Sequence, residues 1–249
     1  NVIRNQLEVD EGDPFNEILF TRSINNLKSL NFFKDVKTEI IDNNDEETKT
    51  LIINVEEKPT GEIMAGAGFG TSGTSTTFGV KENNYLGNGL KLDAKLNLSE
   101  ESVKGKLSIQ NPNFNNSDKS IYVNVQSSET DKLTDSGYKT SKTGFTLGTN
   151  FEYYDDFFLG TSINSYYESI ETDSTASSQQ KKLKGNYFDN FLSLNFDLDK
   201  RNQKFQTTQG FRNYFATDFP IISETNTLSN TLILTNYFEY FENHVLKSS

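Results

Sequence analysis

The apolar positions of this chain change their spacing once, near Pro59. Beyond Gly61 they fall mostly on every second residue. In residues 90–98 the side chains Leu90, Leu92, Ala94, Leu96 and Leu98 share one face, while Lys91, Asp93, Lys95 and Asn97 share the other. That alternation predicts a strand with one apolar and one polar face. It recurs at 103–110, 121–126, 145–153, 157–167, 190–198 and 230–240. With 61–70, 76–86 and 211–221 this makes about ten strands, each near the length that crosses a bilayer at a tilt. A water-soluble sandwich also alternates. A barrel with lipid outside and water inside predicts the pattern in strand after strand. On that reading Leu92, Leu96, Leu107 and Val123 face outward, and Lys91, Lys95, Lys106 and Asn124 face the interior.

Residues 1–58 mix two rhythms. Residues 2–9 read as a strand. Asp13-Pro14 reads as a helix start, because Asp caps free backbone N–H groups and Pro is tolerated in the first turn. Phe15, Ile18, Leu19, Phe20, Ile24, Leu27 and Leu30 then follow at helical spacings, with a break near Asn16. Asn31 can close the helix in a left-handed conformation. Val36, Thr38 and Ile40 alternate as a strand, 42–47 is a polar turn, and Leu51, Ile53 and Val55 alternate on the return. The order read from the residues is β-α-β-β.

The connections sharpen the picture. Asn88-Gly89 and residues 154–156 are tight turns at one end of the strands, and 111–119 lies at that end too. The two longest polar stretches, 127–142 and 169–184, lie at the other end. Short turns on one side and long loops on the other suit an outer-membrane barrel. Tyr85, Phe114, Tyr153, Tyr154, Phe157, Phe158, Phe238, Tyr240 and Phe241 collect at the short-turn end. A girdle at a membrane interface explains that clustering; the bland alternative is an aromatic-rich core.

Composition mainly removes options. The formal net charge of −11 argues against nucleic-acid binding, which needs a basic face. The absence of Cys rules out thiolate chemistry and disulfides, and a single His rules out multi-histidine metal sites. Gly68-Phe69-Gly70-Thr71-Ser72-Gly73 fits a dinucleotide fingerprint, but β-like sequence follows where a helix is needed. The run 42–47 lacks the Gly and Glu that a calcium loop requires. Glu100-Glu101 and Asp155-Asp156 are sequence neighbours whose side chains point apart, so neither is a catalytic pair. The residues predict no enzyme, metal or cofactor. Gly66, Gly68 and Gly70 lie on one face of one strand. Close packing against a neighbouring segment and a deliberately weak strand whose pairing can open explain them equally well.

A family resemblance follows from motifs in order. Residues 82–89, after the Gly-rich 66–70, resemble the first barrel hairpin of BamA-type outer-membrane assembly factors. Residues 11–16 with 30–36 resemble the POTRA domain next to that barrel, 56–61 its junction, and Asn111-Pro112-Asn113-Phe114 the turn after the fourth strand. Residues 199–210 resemble the turn before the ninth strand, where relatives often carry Arg-Gly and this chain has Arg201-Asn202. The resemblance implies a β-α-α-β-β POTRA domain at 1–59 and the first part of a transmembrane antiparallel barrel at 60–249. It implies about sixteen strands in the complete barrel, so the chain is expected to be an internal fragment. Its implied role is assembly and insertion of outer-membrane proteins, with the POTRA domain in the periplasm. The expected gate strand comprises Gly61, Ile63, Ala65, Gly66, Ala67, Gly68, Phe69 and Gly70, which would template client strands at a lateral seam. Phe33, Val36, Thr38 and Ile40 would form a POTRA edge strand that docks accessory lipoproteins or nascent strands. Expected partners are unfolded outer-membrane proteins, accessory assembly lipoproteins and outer-membrane lipid, with no cofactor. The alternative within the same architecture is a two-partner secretion transporter.

Overall fold

The structure is a computed structural model and describes residues 2–43, 48–70, 73–202, 207–224, 226–241 and 244–249. The first region is built around one helix. In α1 (Glu17–Ser29), Phe20, Ile24 and Leu27 fall on one face and are buried. Asn16 caps the helix: its Oδ1 accepts from the Ile18 and Leu19 amides at 2.9 and 3.2 Å. The cap therefore lies three residues after Asp13, which instead accepts a hydrogen bond from the Asp10 amide in a turn. Asn31 ends the helix with φ 59°, as expected of a residue that tolerates the left-handed region.

Residues 2–9 are not a strand. Arg4–Gln6 form a 3₁₀ turn, closed by Gln6 N–H to Ile3 O at 3.0 Å and Leu7 N–H to Arg4 O at 3.1 Å. The turn places Ile3 and Leu7 against Phe20, Ile24 and Leu27. The Glu8 amide donates to Ser23 Oγ at 2.8 Å, and Ser23 is buried. The four-residue spacing of Ile3 and Leu7 was the helical signal that alternation obscured.

Strands β1 (Phe33–Asn43) and β2 (Thr48–Glu57) pair antiparallel, with Val36 opposite Val55, Thr38 opposite Ile53 and Ile40 opposite Leu51. Val36, Leu51 and Ile53 press this ribbon onto the α1 core. Among the described residues the region thus runs 3₁₀ turn, helix, strand, strand. Neither the first strand of β-α-β-β nor the second helix of β-α-α-β-β is present among them. The polar turn at 42–47 falls largely outside the described residues.

The helical period ends at Pro59, and an eleven-stranded antiparallel meander begins. Its strands are β3 (Gly61–Gly70), β4 (Gly73–Tyr85), β5 (Leu90–Ser99), β6 (Ser102–Asn111), β7 (Lys119–Lys132), β8 (Tyr138–Tyr154), β9 (Phe157–Thr172), β10 (Gly185–Asp199), β11 (Gly210–Ile222), β12 (Ser229–Phe241) and β13 (His244–Ser248). The count exceeds the sequence reading by β13, whose five residues pair with the end of β12. Among the described residues the sheet does not close, and β3 and β13 are its edges. No helix among the described residues is long and apolar enough to cross a membrane. The G-x-G-x-x-G run is the end of β3 and the start of β4, a hairpin rather than a strand-to-helix turn.

The stretches 127–142 and 169–184 are only partly loop. Strands β7 and β8 continue to Lys132 and from Tyr138, joined by the short helix α2 (Leu133–Ser136). Strand β9 continues to Thr172, and α3 (Ser178–Lys182) precedes β10. Polar side chains hid these extensions because hydrogen-bonded hairpins need no apolar face where both sides meet water. The two connections dock: the Asp173 amide donates to Gly137 O at 2.9 Å, and Ala176 is buried there. Gly137 takes φ 72°, and a Cβ on it would overlap the Ala176 amide, the Thr175 hydroxyl and Asp173.

Candidate functional site

Cross-strand register sorts the meander into two faces, because directly opposed residues share a side. One row reads Leu92, Ile109, Val123, Leu147, Ile163, Leu192 and Phe219 from β5 to β11. The adjacent row reads Asp93, Ser108, Asn124, Thr146, Asn164 and Phe191 on the opposite face. Leu92, Leu96, Leu107 and Val123 therefore lie on the apolar face, and Lys91, Lys95, Lys106 and Asn124 on the polar one.

The polar face is laced together. Ser108 donates to Asn124 at 2.5 Å, Thr146 to Asn164 at 2.7 Å, Asn164 to Ser193 at 2.6 Å, and Ser193 to Asp218. Toward the short-turn end the ladder becomes ionic. Arg212 forks onto Asp197 at 2.9 and 2.6 Å. Arg201 forks onto Asp199 at 2.7 and 2.6 Å. The Asp199 amide donates to Asp156 O and Lys200 pairs with Asp156, which ties two neighbouring turns together. Sequence reasoning treated Arg201 only as a departure from a motif. The alternation Asp197, Asp199, Arg201 was the available signal for this cluster.

Strand β3 is different from its neighbours. It pairs with β4 in continuous register from Gly61 opposite Glu82 to Gly70 opposite Gly73. Its other edge carries no strand among the described residues. Ile63, Ala65, Ala67 and Phe69 lie on the apolar face, with Ile63 87% and Phe69 88% exposed. Glu62, Met64, Gly66, Gly68 and Gly70 lie on the polar face, and Gly61 falls on the apolar side. The eight residues expected to form the gate strand are therefore one edge strand with two unlike faces. Its base is fixed: Thr60 donates to Glu82, whose Oε1 also accepts from the Asn84 amide at 2.8 Å. Beside it on the apolar face, Ala94 and Gly105 leave a shallow hollow between Ile63, Phe78, Val80, Leu96, Leu107 and Val125.

The second expected site is less uniform. Among the described residues β1 pairs only with β2, so its other edge is free. Val36 faces the α1 core, and Phe33 precedes a register shift at Asp35. Thr38 and Ile40 share the face of Val36 but are exposed. At the short-turn end Tyr85, Phe114, Tyr153, Tyr154, Phe238, Tyr240 and Phe241 are exposed rings, while Phe157 and Phe158, expected in the same girdle, are half-buried. Of the acidic neighbours, Glu100 accepts from the Thr74 amide while Glu101 pairs with Lys132 at 2.8 Å, so they point apart. Lys132 holds the Glu101 carboxyl below the usual carboxylate range.

Comparison with known proteins agrees with this architecture. The family model described as the Omp85 superfamily domain matches residues 84–246. The POTRA model, described as a surface antigen variable number repeat, matches residues 1–58. The outer membrane protein assembly factor BamA of Nitratidesulfovibrio vulgaris is 24% identical over 99% of this chain and 31% of its own length. The crystal structure of BamA from Haemophilus ducreyi lacking POTRA domains 1–3 superposes with a TM-score of 0.76 at 18% identity. It covers 95% of this chain and 48% of that one, so the likeness is one of fold. The chain thus spans about a third of the first relative and just under half of the second. An unclosed antiparallel sheet with one apolar face follows a POTRA region, and a family model matches well over half the chain: it belongs to the Omp85 superfamily, is of BamA type, and sits in the outer membrane with its POTRA region in the periplasm.

Proposed function

We propose that this chain serves the assembly and insertion of outer-membrane β-barrel proteins, and that β3 is the strand on which client strands are templated. The observation that supports the reading is the make-up of β3, the first strand of the sheet: Ala65, Gly66, Ala67, Gly68 and Gly70 offer little side-chain contact along an edge that, like that of β13, carries no strand among the described residues. An unpaired row of N–H and C=O groups is costly in hydrocarbon, where water cannot satisfy it. Another strand added along that edge supplies the missing hydrogen bonds, and alternate side chains supply selectivity. The two faces of β3 suit this use, since one matches lipid and the other the interior. Burial of apolar strand faces in lipid drives the process, and no nucleotide is needed.

On this reading residues 1–59 form a POTRA unit and 60–249 the first part of the barrel. The free edge of β1 along Phe33, Val36, Thr38 and Ile40 is where accessory lipoproteins or nascent strands add. Clients are unfolded outer-membrane proteins, and the apolar face meets outer-membrane lipid.

The test is a reversible lock on the seam. Cysteines placed at Ala65 and at the facing residue of the barrel's last strand in the full-length protein should crosslink on oxidation. Client assembly into vesicles should stop when the crosslink forms and resume on reduction. Normal assembly with the crosslink complete removes β3 as the gate.

A further inference from the structure

Glycine weakens the interior of a strand, so each one calls for a cause. Within this sheet the cause is usually a neighbour lying across the bare backbone. A Cβ on Gly144 would overlap the ring of Tyr166, the residue directly opposite. A Cβ on Gly148 would overlap the ring of Tyr122, again directly opposite. On Gly79 it would stand 2.9 Å from Cε of Met64, also directly opposite. All three glycines lie on the polar face. Gly160 and Gly68 on that face are filled as well, by Asn150 and Asn195 and by Ser75, so a side chain on one strand lies over a glycine on the next.

As Gly70 does at the end of the same strand, Gly66 breaks the pattern. It lies on the same face, and Thr77 stands opposite. Thr77 turns away and donates to Asn97 at 2.8 Å. A Cβ on Gly66 would meet nothing within 4 Å among the described residues. Its φ lies outside the left-handed region, so the backbone does not need glycine either. Both ordinary causes are absent on the side of β4. The remaining side is the free edge, where the seam partner adds.

We propose that the client strand paired with β3 seats an aromatic side chain over Gly66 on the interior face. The inference rests on β3 being the templating strand. A flat ring covers bare backbone, and of the five polar-face glycines of ordinary φ that a neighbour fills (Gly68, Gly79, Gly144, Gly148 and Gly160) two are covered by tyrosine. The seat also answers a problem that backbone pairing leaves open. Ala65, Gly66, Ala67, Gly68 and Gly70 offer little side-chain relief, and such strands specify register weakly. A ring over Gly66 selects one register and so fixes which client residues face lipid beside Ile63, Ala65 and Ala67. The fitting client strand alternates, with apolar residues outward and an aromatic inward.

The test uses full-length protein in phospholipid vesicles and two labelled synthetic strand peptides. They are identical except for Tyr or Ala at one interior-facing position. Wild type should bind the Tyr peptide about tenfold more tightly, in keeping with one added ring contact. In Gly66→Leu, which fills the seat, that preference should vanish while the Ala peptide binds as before. Gly66→Ala, milder in volume, should give an intermediate preference and guards against a folding defect in the larger variant. Equal binding of both peptides to wild type overturns the ring seat and leaves the templating role of β3 standing. Failure of both peptides to bind overturns that role and the seat with it. A preference unchanged in both variants places the ring elsewhere and overturns the proposal. Weaker closure of the protein's own seam in Gly66→Leu, with peptide preference unchanged, assigns the ring to the closing strand and overturns the client assignment.

Discussion

Single residues in this protein are read by the medium they face. Leu96 and Lys95 are adjacent, yet the register puts Leu96 beside Phe78 and opposite Gly105 on the apolar face, and Lys95 opposite Lys106 on the polar one. Leu96→Arg is therefore expected to cost about 2–4 kcal/mol if it sits near the bilayer midplane, and Lys95→Ser far less. A lipid-folding titration of the full-length protein measures both, and equal effects contradict the lipid-facing assignment. In the POTRA region the controlling residue is Leu27, which is fully buried between Phe20, Ile24 and the β1–β2 ribbon. Leu27→Ala should cost about 2–5 kcal/mol through lost burial and the cavity left behind. Hydrogen exchange at the α1 amides in the full-length protein reads that loss as faster opening. Leu27 was legible as core from its helical spacing. Arg201 and Asp199 were not recognised as partners, because their fork forms where β10 has ended and strand spacing no longer says which way a side chain turns.

Among the elements, the connection after β9 holds a testable electrostatic feature. The Thr175 hydroxyl and amide both donate to Asp173, each at 2.7 Å. Together they hold the Asp173 carboxyl below its usual range, the hydroxyl contributing most. A carboxyl lowered in the folded state stabilises its surroundings above its ordinary, unfolded range. That contribution is lost as pH falls through the lowered folded value. Exchange protection around residues 173–176, corrected for intrinsic rates, should be constant at neutral pH and fall in acid. Asp173→Asn should remove the acid dependence. The elements also show where periodicity misleads. Ile3 and Leu7 sit within a run that alternates as a strand, yet tertiary contact with α1 selects a turn. The upper parts of β7, β8 and β9 carry polar residues on both sides and so lacked the alternating signal. Their pairing is propagated from the apolar rows below, one backbone hydrogen bond after another.

At the largest scale, the described residues form an unclosed sheet, and the chain spans only part of the length of its relatives. Edges β3 and β13 both present unpaired backbone, and hydrocarbon offers no water to satisfy it. Residues 1–249 expressed alone should therefore not yield a closed, heat-modifiable barrel in lipid. They should aggregate or pair with another chain through the free edges. Gel mobility with and without heating, compared with the full-length protein, checks this. A closed barrel from these residues alone would mean that β3 and β13 can meet, which would remove the free edge on which the templating role rests.

The sequence by itself determined the change of architecture at Pro59, the alternating strands, the tight turns at one end and the faces of Leu92 and Lys95. Each follows from local geometry: a strand has period two, a helix 3.6, and Gly or Asn marks the turns. The likeness to BamA-type proteins was also carried by ordered local motifs. Tertiary structure decided the rest. It set the fate of residues 2–9, the length of the hairpins beyond the apolar band, the Asp197–Arg212 and Asp199–Arg201 pairs, and the addition of β13. It also decided which glycines have a neighbour lying over them and which, like Gly66, do not. Most of these depend on contacts between neighbouring strands or elements, and a period read along one segment carries no information about what the neighbouring strand places across from it; the Asp199–Arg201 pair, two residues apart, forms only where β10 ends.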